Sequence, residues 1–399
     1  MKILIISNFA IMPEEEGNCR FCYLAGLLAK DGDKVELITS DYYHAGKIYR
    51  KMNENSYSKL PYKVTFLHES SYKNNISLSR IRSHYLLGLR LRDYLKEHDP
   101  PDLIYCVVPS LDVAYESIAY ANLHSITAVL DIQDLWPEAF KIKFNPVLAG
   151  DLIYHPFQKK ADFIYTNADK IIAVSKTYIT RAKICNSKDN MPLCVYLGTQ
   201  IDKFDAVPPA NLHDLETVTF VYIGTLGYNY DLPCIFKALK IVRYNYSKPF
   251  RFLIMGDGPK RKEFEGYAGH CGIEVQFTGR LKYENMVSLL KNCDIAVNPI
   301  IKGAAGSIIN KVADYAAASL PVINTQECEE YRDLMMHYDA GYNCNCGDSE
   351  DVAEKMLLLM TDEYKRKQKG KNNRRMAEEL FDRDKTYLEI VQKLHEGQQ

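Results

Sequence analysis

The chain alternates short apolar runs with helical patterns, and this alternation constrains its fold more than any other feature. Lys2–Ile6 and Asp102–Val108 are largely apolar runs of strand length, and Phe21–Lys30 between them has helical spacing. Strands that are apolar on both faces are typical of parallel sheets covered by helices on both sides. The first half therefore predicts an α/β fold with a doubly wound parallel sheet.

The same alternation starts again in the second half. Thr217–Ile223, Phe250–Met255 and Ile295–Val297 are apolar runs that end in loops of small residues. A length of 399 residues fits two such domains. We predict an N-terminal Rossmann-like domain over 1–200, a second one over 201–375, and a helical tail over 376–399 that packs back on the first domain. Ligands of such sheets bind outside the carboxyl ends of the strands, so we expect an interdomain cleft there.

Charge and composition exclude some functions. The net charge of −1 argues against a general polyanion binder, and no nucleic-acid reader motif is visible, so we expect no nucleic-acid partner. Residues 41–100 hold eleven Lys and Arg against six Asp and Glu. This patch fits acidic partners or an anionic membrane surface, and a solvated basic face explains it equally well.

The eleven cysteines form no regular array, so we expect reduced thiols and no metal. The apolar start is too short, and too soon polar, for a signal peptide. No apolar run approaches the ~18–20 residues of a membrane span. We expect a cytoplasmic protein whose membrane contact is at most peripheral, on the inner face.

The loop Asn298–Ser307 precedes a helix that carries Lys311 in its first turns and Asp314 three residues later. Small residues expose backbone N–H groups, and a helix start adds positive potential, so this segment suits phosphates. A nearby anion would rationalise Lys311, and Asp314 can accept hydrogen bonds from a ribose diol. A surface Lys–Asp pair worth only ~0.3 kcal/mol explains the two residues equally well.

Other strand ends carry further candidates. Gly17 precedes the first helix and would let a ligand approach the backbone, although a plain capping turn is the alternative. After the strand that ends at Asp131, Asp134 can accept a proton from an attacking hydroxyl and Trp136 can stack on a sugar. A helix-capping Asp and a buried Trp are the alternative. In the second domain, candidates follow two strands and a third strand end: Gly224, Thr225, Gly256, Gly258, Arg280 and Leu281.

In this order the segments resemble the retaining, nucleotide-sugar-dependent enzymes of glycosyltransferase family 4, which have the GT-B fold. Asp131–Glu138 is similar to the D-x-x-D-L-W-P-E of members that build surface polysaccharide and O-antigen. Asn310–Ile323 resembles the family's N-K-L-x-E-Y-x-A-A-G-x-P-V-I. The resemblance covers almost the whole chain.

The resemblance implies catalytic roles for Asp134 and Lys311. With the strand-end pattern, it predicts donor contacts from Gly17, Gly224, Thr225, Gly256, Gly258, Arg280, Leu281, Ala304, Ala305, Gly306, Ser307, Lys311 and Asp314. It predicts acceptor contacts from Asn18, Asp134, Trp136 and Glu138.

The chain departs from the family pattern at the donor site. Gly306 stands where the family has the first acid of its E-x7-E element, and Asp314 replaces the second. The loop after Ile223 lacks the family's Arg and Lys. Phosphate charge would then be met by Lys311, Arg280, Lys302 or helix dipoles.

The resemblance implies retaining transfer of a hexosyl or N-acetylhexosaminyl group from a nucleotide diphosphate sugar, UDP-linked, to a glycan hydroxyl. A lipid-linked acceptor fits the basic first domain. No Asp-x-Asp element stands at the relevant strand end, so we expect no metal or other cofactor. Two alternatives stay open, a nucleotide-sugar 2-epimerase and a non-catalytic homologue that binds a sugar nucleotide.

Overall fold

The computed structural model of the protein describes residues 1–399 except 16, 18, 52–56, 139–149, 211–216, 305 and 398–399. Two predicted site residues, Asn18 and Ala305, lie outside the described residues. Contacts divide the chain into two compact units. Unit 1 is Met1–Val195 with Tyr387–Gln399, and unit 2 is Tyr196–Thr386.

Unit 1 contains a parallel sheet of seven strands and a small antiparallel hairpin. The strands are β1 Lys2–Ile6, β2 Lys34–Ser40, β3 Tyr42–Tyr43, β4 Ile48–Tyr49, β5 Lys63–Leu67, β6 Leu103–Val108, β7 Thr127–Ile132, β8 Lys170–Ala173 and β9 Leu193–Cys194. The sheet order is β5-β2-β1-β6-β7-β8-β9, and β3 pairs with β4. All residues of β6 are buried, as a strand covered on both faces requires.

Helices of unit 1 connect these strands. They are Arg20–Lys30, Leu78–Glu97, Leu111–Leu123, Gly150–Asn167 and Lys176–Lys183, with the end of the helix Arg383–His395. The Ser77 side chain caps the second of them by accepting a hydrogen bond from the Arg80 N–H. The C-terminal helix buries Tyr387, Ile390 and Leu394 in the same core as β1 and β2.

Unit 2 repeats the architecture with six parallel strands. They are β10 Val218–Ile223, β11 Phe250–Met255, β12 Val275–Gly279, β13 Ile295–Asn298, β14 Val322–Asn324 and β15 Gly341–Asn343, in the order β12-β11-β10-β13-β14-β15. The helices are Ile201–Ala206, Leu232–Asn245, Arg261–Cys271, Tyr283–Leu290, Lys311–Ala317, Glu329–Tyr338, Ser349–Thr361 and Glu363–Met376. Two doubly wound parallel sheets confirm the predicted fold class.

The predicted helical tail over 376–399 is helical in the structure as far as His395. A π-helical turn at Ala377–Phe381 and Asp382 separate two helices there. The β3–β4 hairpin was not predicted, because the apolar pattern of a two-residue strand is too short to recognise. Among the described residues, no helix is long and apolar enough to cross a membrane.

A buried ion pair and its hydrogen bonds join four parts of unit 1. The Arg20 Nε lies 3.0 Å from Asp131 Oδ2, and these side chains are 2% and 0% exposed. Tyr105 donates a hydrogen bond of 2.6 Å to the same oxygen, and Arg20 Nη1 donates one of 2.8 Å to Tyr387. The pair therefore ties the first helix to β6, β7 and the C-terminal helix.

We predict that Asp131→Asn lowers the free energy of unfolding by about 3–5 kcal/mol, because it leaves the Arg20 charge buried and unpaired. Urea unfolding of the variant and of Asp93→Asn, an exposed carboxylate in the same unit, measures the difference. A loss below 1 kcal/mol for Asp131→Asn would contradict a structural role for the pair.

Candidate functional site

A buried lysine without a hydrogen-bond partner marks the candidate site of unit 2. Lys311 is the first residue of the helix Lys311–Ala317 and is 9% exposed. Its Nζ lies 4.0 Å from the centre of the Tyr222 ring and 4.1 Å from that of Tyr230. Within the described residues, Nζ has no hydrogen-bond partner and no carboxylate within 4.0 Å. The alternative of a surface pair between Lys311 and Asp314 is therefore wrong.

This environment disfavours an isolated charge on Lys311. Burial lowers the pKa of its amine well below the usual value. Burial also raises the pKa of the Tyr222 and Tyr230 hydroxyls, so neither phenol supplies a negative charge. An anion that binds beside this amine would favour its charged form. Among the described residues, no carboxylate within 4.0 Å would compete with that anion for the amine.

Gly224 borders the lysine. A Cβ added at Gly224 would lie 3.1 Å from Lys311 Nζ, and the residue has a φ of +127° that favours glycine. The exposed Thr225 follows it, and the Thr225 carbonyl accepts a hydrogen bond of 2.7 Å from Tyr222. The structure thus brings together three predicted donor residues, Gly224, Thr225 and Lys311.

Gly256 and Gly258 serve the packing of the protein chain itself. A Cβ on Gly256 would lie 1.8 Å from the Gly224 carbonyl oxygen, and one on Gly258 would lie 2.4 Å from that of Leu226. The Leu226 N–H also donates to the Asp257 carbonyl at 3.0 Å. These two glycines let the loops after β10 and β11 pack together, and direct donor contact by either stays a prediction.

An amide ladder holds the small-residue loop above the sheet. Asn298, Asn324 and Asn343 end the neighbouring strands β13, β14 and β15 in register. Asn298 Nδ2 donates to Asn324 Oδ1 at 2.9 Å, and Asn324 Nδ2 donates to Asn343 Oδ1 at 2.8 Å. Gln326 Nε2 then donates to the Ser307 carbonyl at 2.6 Å. The loop backbone is therefore fixed by buried side chains.

The loop itself uses part of its donor capacity. The Ala304 N–H donates to the Ile301 carbonyl at 3.1 Å, so this N–H is not free for a phosphate as predicted. The Gly303 N–H donates to Glu327 Oε2 at 3.0 Å. Gly306 is exposed and Ser307 is half-buried.

Asp314 faces a hydroxyl pair. Its Oδ1 accepts a hydrogen bond of 2.8 Å from Tyr283, whose hydroxyl lies 2.8 Å from Thr199 Oγ1. Burial raises the pKa of Asp314 to about 6, so the carboxylate is charged at neutral pH. One oxygen is thus engaged by the protein, and a ribose contact stays a prediction. Arg280 is exposed and Leu281 is half-buried.

In unit 1, Asp134 lies just beyond β7 and is half-buried. It accepts a hydrogen bond of 2.9 Å from the Leu135 N–H. Burial raises the pKa of its carboxyl group, against hydrogen bonds and the nearby Arg80 charge that lower it. A carboxylate with a raised pKa is a better proton acceptor than an ordinary aspartate. Gly17, in the same unit, has a φ of +134° and lies before the first helix.

Trp136 and Glu138 already have protein partners. The Trp136 ring stacks on His84 at a centroid distance of 5.7 Å, and the Arg80 guanidinium lies 4.6 Å from its centre. Glu138 Oε1 forms an ion pair with Arg181, while the buried Oε2 has no hydrogen-bond partner among the described residues. Their predicted acceptor contacts stay predictions.

One group in the described part of the chain has the geometry of potential metal ligands, namely Asp31, Asp33 and His395. The N-terminal ammonium of Met1 lies 2.9 Å from Asp33 Oδ1, and His395 Nε2 lies 2.9 Å from Asp33 Oδ2. Ion pairs therefore account for this group. Cys22 is buried, and burial raises the pKa of its thiol to about 12.

The aromatic and polar residues around Lys311, and Arg80 beside Trp136, were not predicted from the sequence. Tyr222 and Tyr230 carry no motif, although a tyrosine at the end of an apolar strand was visible. The register that joins Asn298 to Asn324 and Asn343 depends on strand order, which local patterns do not contain. Arg80 lay unnoticed in a long basic helix.

Comparison with known proteins identifies the second half of the chain. Residues 203–376 match the family described as glycosyl transferases group 1. An alpha-1,4-N-acetyl-D-galactosaminyltransferase of Campylobacter jejuni is 25% identical over 161 residues, which are 40% of this chain and 43% of the relative. The N-acetyl-alpha-D-glucosaminyl L-malate synthase of Bacillus anthracis is 28% identical over 137 residues, 34% of each chain. These matches span less than half of either relative.

Similarity to solved structures extends over almost the whole chain. HepE of Anabaena, solved in complex with UDP, superposes with a TM-score of 0.70 at 16% identity, and the match covers 99% of both chains. At this identity the likeness shows the fold, and it confirms the predicted GT-B architecture. Residues 203–376 thus match the family of group 1 glycosyl transferases, within a chain that has the GT-B fold.

Proposed function

We propose that this protein is a retaining glycosyltransferase that moves a hexosyl or N-acetylhexosaminyl group from a UDP-sugar to a hydroxyl of a glycan acceptor. The observation that carries the proposal is the buried Lys311 amine, which lies beside Gly224 without a hydrogen-bond partner among the described residues, in a segment that matches the group 1 glycosyl transferases. A lysine that the protein leaves without a carboxylate is suited to the diphosphate of a donor.

The chemistry gives Lys311 a defined role. The bond from the anomeric carbon to the diphosphate oxygen breaks, and the acceptor oxygen bonds to that carbon on the same face. Negative charge develops on the departing UDP, and a fixed cation stabilises it. The Tyr230 ring that lies over Nζ is half-buried, and in this proposal the donor displaces it to reach the amine. Because Lys311 supplies this charge, we propose that no divalent metal or other cofactor is required.

Asp134 has a separate role in the proposal. The acceptor hydroxyl passes its proton to the Asp134 carboxylate, which also orients the hydroxyl, as its oxygen bonds to the anomeric carbon. The raised pKa of Asp134 suits this task. Asp134→Asn should therefore lower kcat while UDP still binds.

The relatives support the class of reaction. The Campylobacter relative is named as an N-acetylgalactosamine transferase for a glycan on a lipid diphosphate. HepE was solved with UDP, and further structures of it contain glucose or UDP-glucose. We infer a UDP-sugar donor and a role in surface polysaccharide synthesis, on the cytoplasmic face of the membrane if the acceptor is lipid-linked.

A transfer assay tests the function. The protein is incubated with each of a panel of UDP-sugars, a glycan acceptor mixture and EDTA, and the product is analysed by NMR for its anomeric configuration. The proposal expects a product with the donor's configuration, and Asp134→Asn should reduce its formation at least tenfold. An inverted product would contradict retention. An epimerised UDP-sugar without acceptor, or tight UDP binding with no transfer, would establish one of the two alternatives instead.

We predict that Lys311→Met abolishes UDP binding and also stabilises the protein. A buried polar group without a partner costs about 1–3 kcal/mol, and methionine fills a similar volume. Calorimetric titration with UDP and thermal unfolding measure the two effects, with the exposed Lys240→Met as the matched control. Unchanged UDP affinity in Lys311→Met would remove the main support for the proposed donor site.

UDP affinity should depend on pH through the amine of Lys311. The free amine has a lowered pKa, and the diphosphate raises it, so UDP binding takes up a proton. The affinity is then highest below the free-state pKa and falls, by at most about tenfold per pH unit, as the pH rises towards the pKa of the complex. Titrations at several pH values, repeated with Lys311→Arg, whose guanidinium stays charged at every pH used, measure this slope. An equally steep slope in both proteins would rule out Lys311 as its source.

A further inference from the structure

Unit 1 contains a second cation that has no carboxylate within 4.0 Å among the described residues. Arg80, in the first turn of the helix Leu78–Glu97, is 9% exposed. Its guanidinium lies 4.6 Å from the Trp136 ring centre, 5.5 Å from that of Phe9 and 5.7 Å from that of Tyr72. The buried Nε has no hydrogen-bond partner in the described part of the chain.

Lys47 approaches the same tyrosine from the β3–β4 hairpin. Its Nζ lies 4.6 Å from the centre of the Tyr72 ring. Lys47 Nζ also donates to Asn75 Oδ1 at 2.6 Å, while Arg80 Nη1 donates to the Asn75 carbonyl at 2.6 Å. Asn75 therefore holds both cations, and no described carboxylate lies within 4.0 Å of either.

The titratable groups around these cations show that positive charge is in excess there. Burial and these cations together lower the pKa of two neighbouring histidines, and burial raises the pKa of two neighbouring carboxyl groups. Burial, and then the charges of Arg80 and Lys47, lower the pKa of His44 to about 4, so this imidazole is neutral. Burial raises the pKa of Glu69 and of Asp134, the two carboxyl groups whose charges reach Arg80. His84, also neutral, has its pKa lowered to about 3 by burial and by Arg80. An oxyanion beside Arg80 and Lys47 would relieve this excess of positive charge.

Exposed aliphatic side chains flank this pair of cations. Ile48 directly follows Lys47 and is 60% exposed, and Ile76 directly follows Asn75 and is 42% exposed. Leu78, at the start of the same helix as Arg80, is 84% exposed. A ligand that fits both parts has an anionic head and an apolar chain.

We propose that Arg80 and Lys47 bind the phosphate group of a lipid-linked acceptor, and that Ile48, Ile76 and Leu78 contact its lipid chain. The identity of this ligand as an acceptor rests on the proposed glycosyl transfer. The binding site for its phosphate does not depend on the donor site at Lys311. The guanidinium donates paired hydrogen bonds to phosphate oxygens, and the aromatic rings fix its plane. Asp134, which lies near Arg80, would then be close to the carbohydrate end of the bound acceptor.

Binding of a short prenyl diphosphate tests the proposal. Farnesyl diphosphate, inorganic pyrophosphate and farnesol are titrated calorimetrically into the full chain carrying Lys311→Met, which removes the donor site. We expect farnesyl diphosphate to bind more tightly than either part alone. Arg80→Gln and Lys47→Gln should each weaken it by about tenfold or more, since each removes hydrogen bonds to a charged group. Leu78→Ser should weaken farnesyl diphosphate and leave pyrophosphate unchanged.

Matched controls keep the test sharp. Arg92→Gln, an exposed arginine of the same helix, and Leu123→Ser, an exposed leucine of the same unit, should change nothing. If Arg80→Gln fails to fold, Lys47→Gln decides the test. Unchanged affinity in the cation variants, or an equal loss in Arg92→Gln, would overturn the proposal. So would phosphatidylglycerol vesicles that bind as tightly as farnesyl diphosphate and with the same dependence on the variants, since the surface would then be a membrane contact.

The test also separates this proposal from the proposed function. In the background without Lys311→Met, Arg80→Gln should bind UDP like the wild type. Loss of UDP binding only in Lys311→Met, together with unchanged farnesyl diphosphate binding in Arg80→Gln, would leave the donor site standing and remove the lipid subsite. A wild type that binds farnesyl diphosphate but no UDP would do the reverse.

Discussion

Burial of both faces of each parallel sheet is the constraint on which the structure depends. A strand such as β6 or β13 has no solvent face, so its interior positions are apolar and its polar side chains collect at the strand ends. The exception is Asp131 inside β7, which is tolerated because Arg20 pairs with it. The strand ends carry the polar chemistry: Gly224 and the amide ladder in unit 2, Asp134 in unit 1.

The same physics explains both proposed binding sites. Lys311 and Arg80 are each 9% exposed, lie over aromatic rings and have no carboxylate partner among the described residues. Contact with an aromatic ring offsets part of the cost of burying a cation, by about 0.5–2 kcal/mol. A carboxylate would offset more, but it would also compete with an anionic ligand. Each proposed site therefore lacks the stability that a carboxylate partner would supply, and its cation is left for an anionic ligand.

The fold was predictable from the sequence, and the environments of several site residues were not, for physical reasons. Continuous apolar runs predicted the doubly wound sheets, and the loop at residues 298–307 predicted a place for phosphate. The packing role of Gly256 was not predicted, because a glycine that admits a ligand and one that admits a neighbouring carbonyl look the same in sequence. Arg20, Tyr222 and Arg80 were missed because their partners lie far away along the chain.

The sequence by itself determined the two α/β units, the strand ends where polar groups gather, and the family resemblance at residues 310–323. Each of these follows from local periodicity or from a short motif, which the chain carries regardless of its contacts. Only the tertiary structure decided that Lys311 faces two tyrosines rather than Asp314, and that Asp131 is buried in an ion pair with Arg20. The physical reason is that strand order and burial set the environment of a charge, and neither is a local property of the sequence.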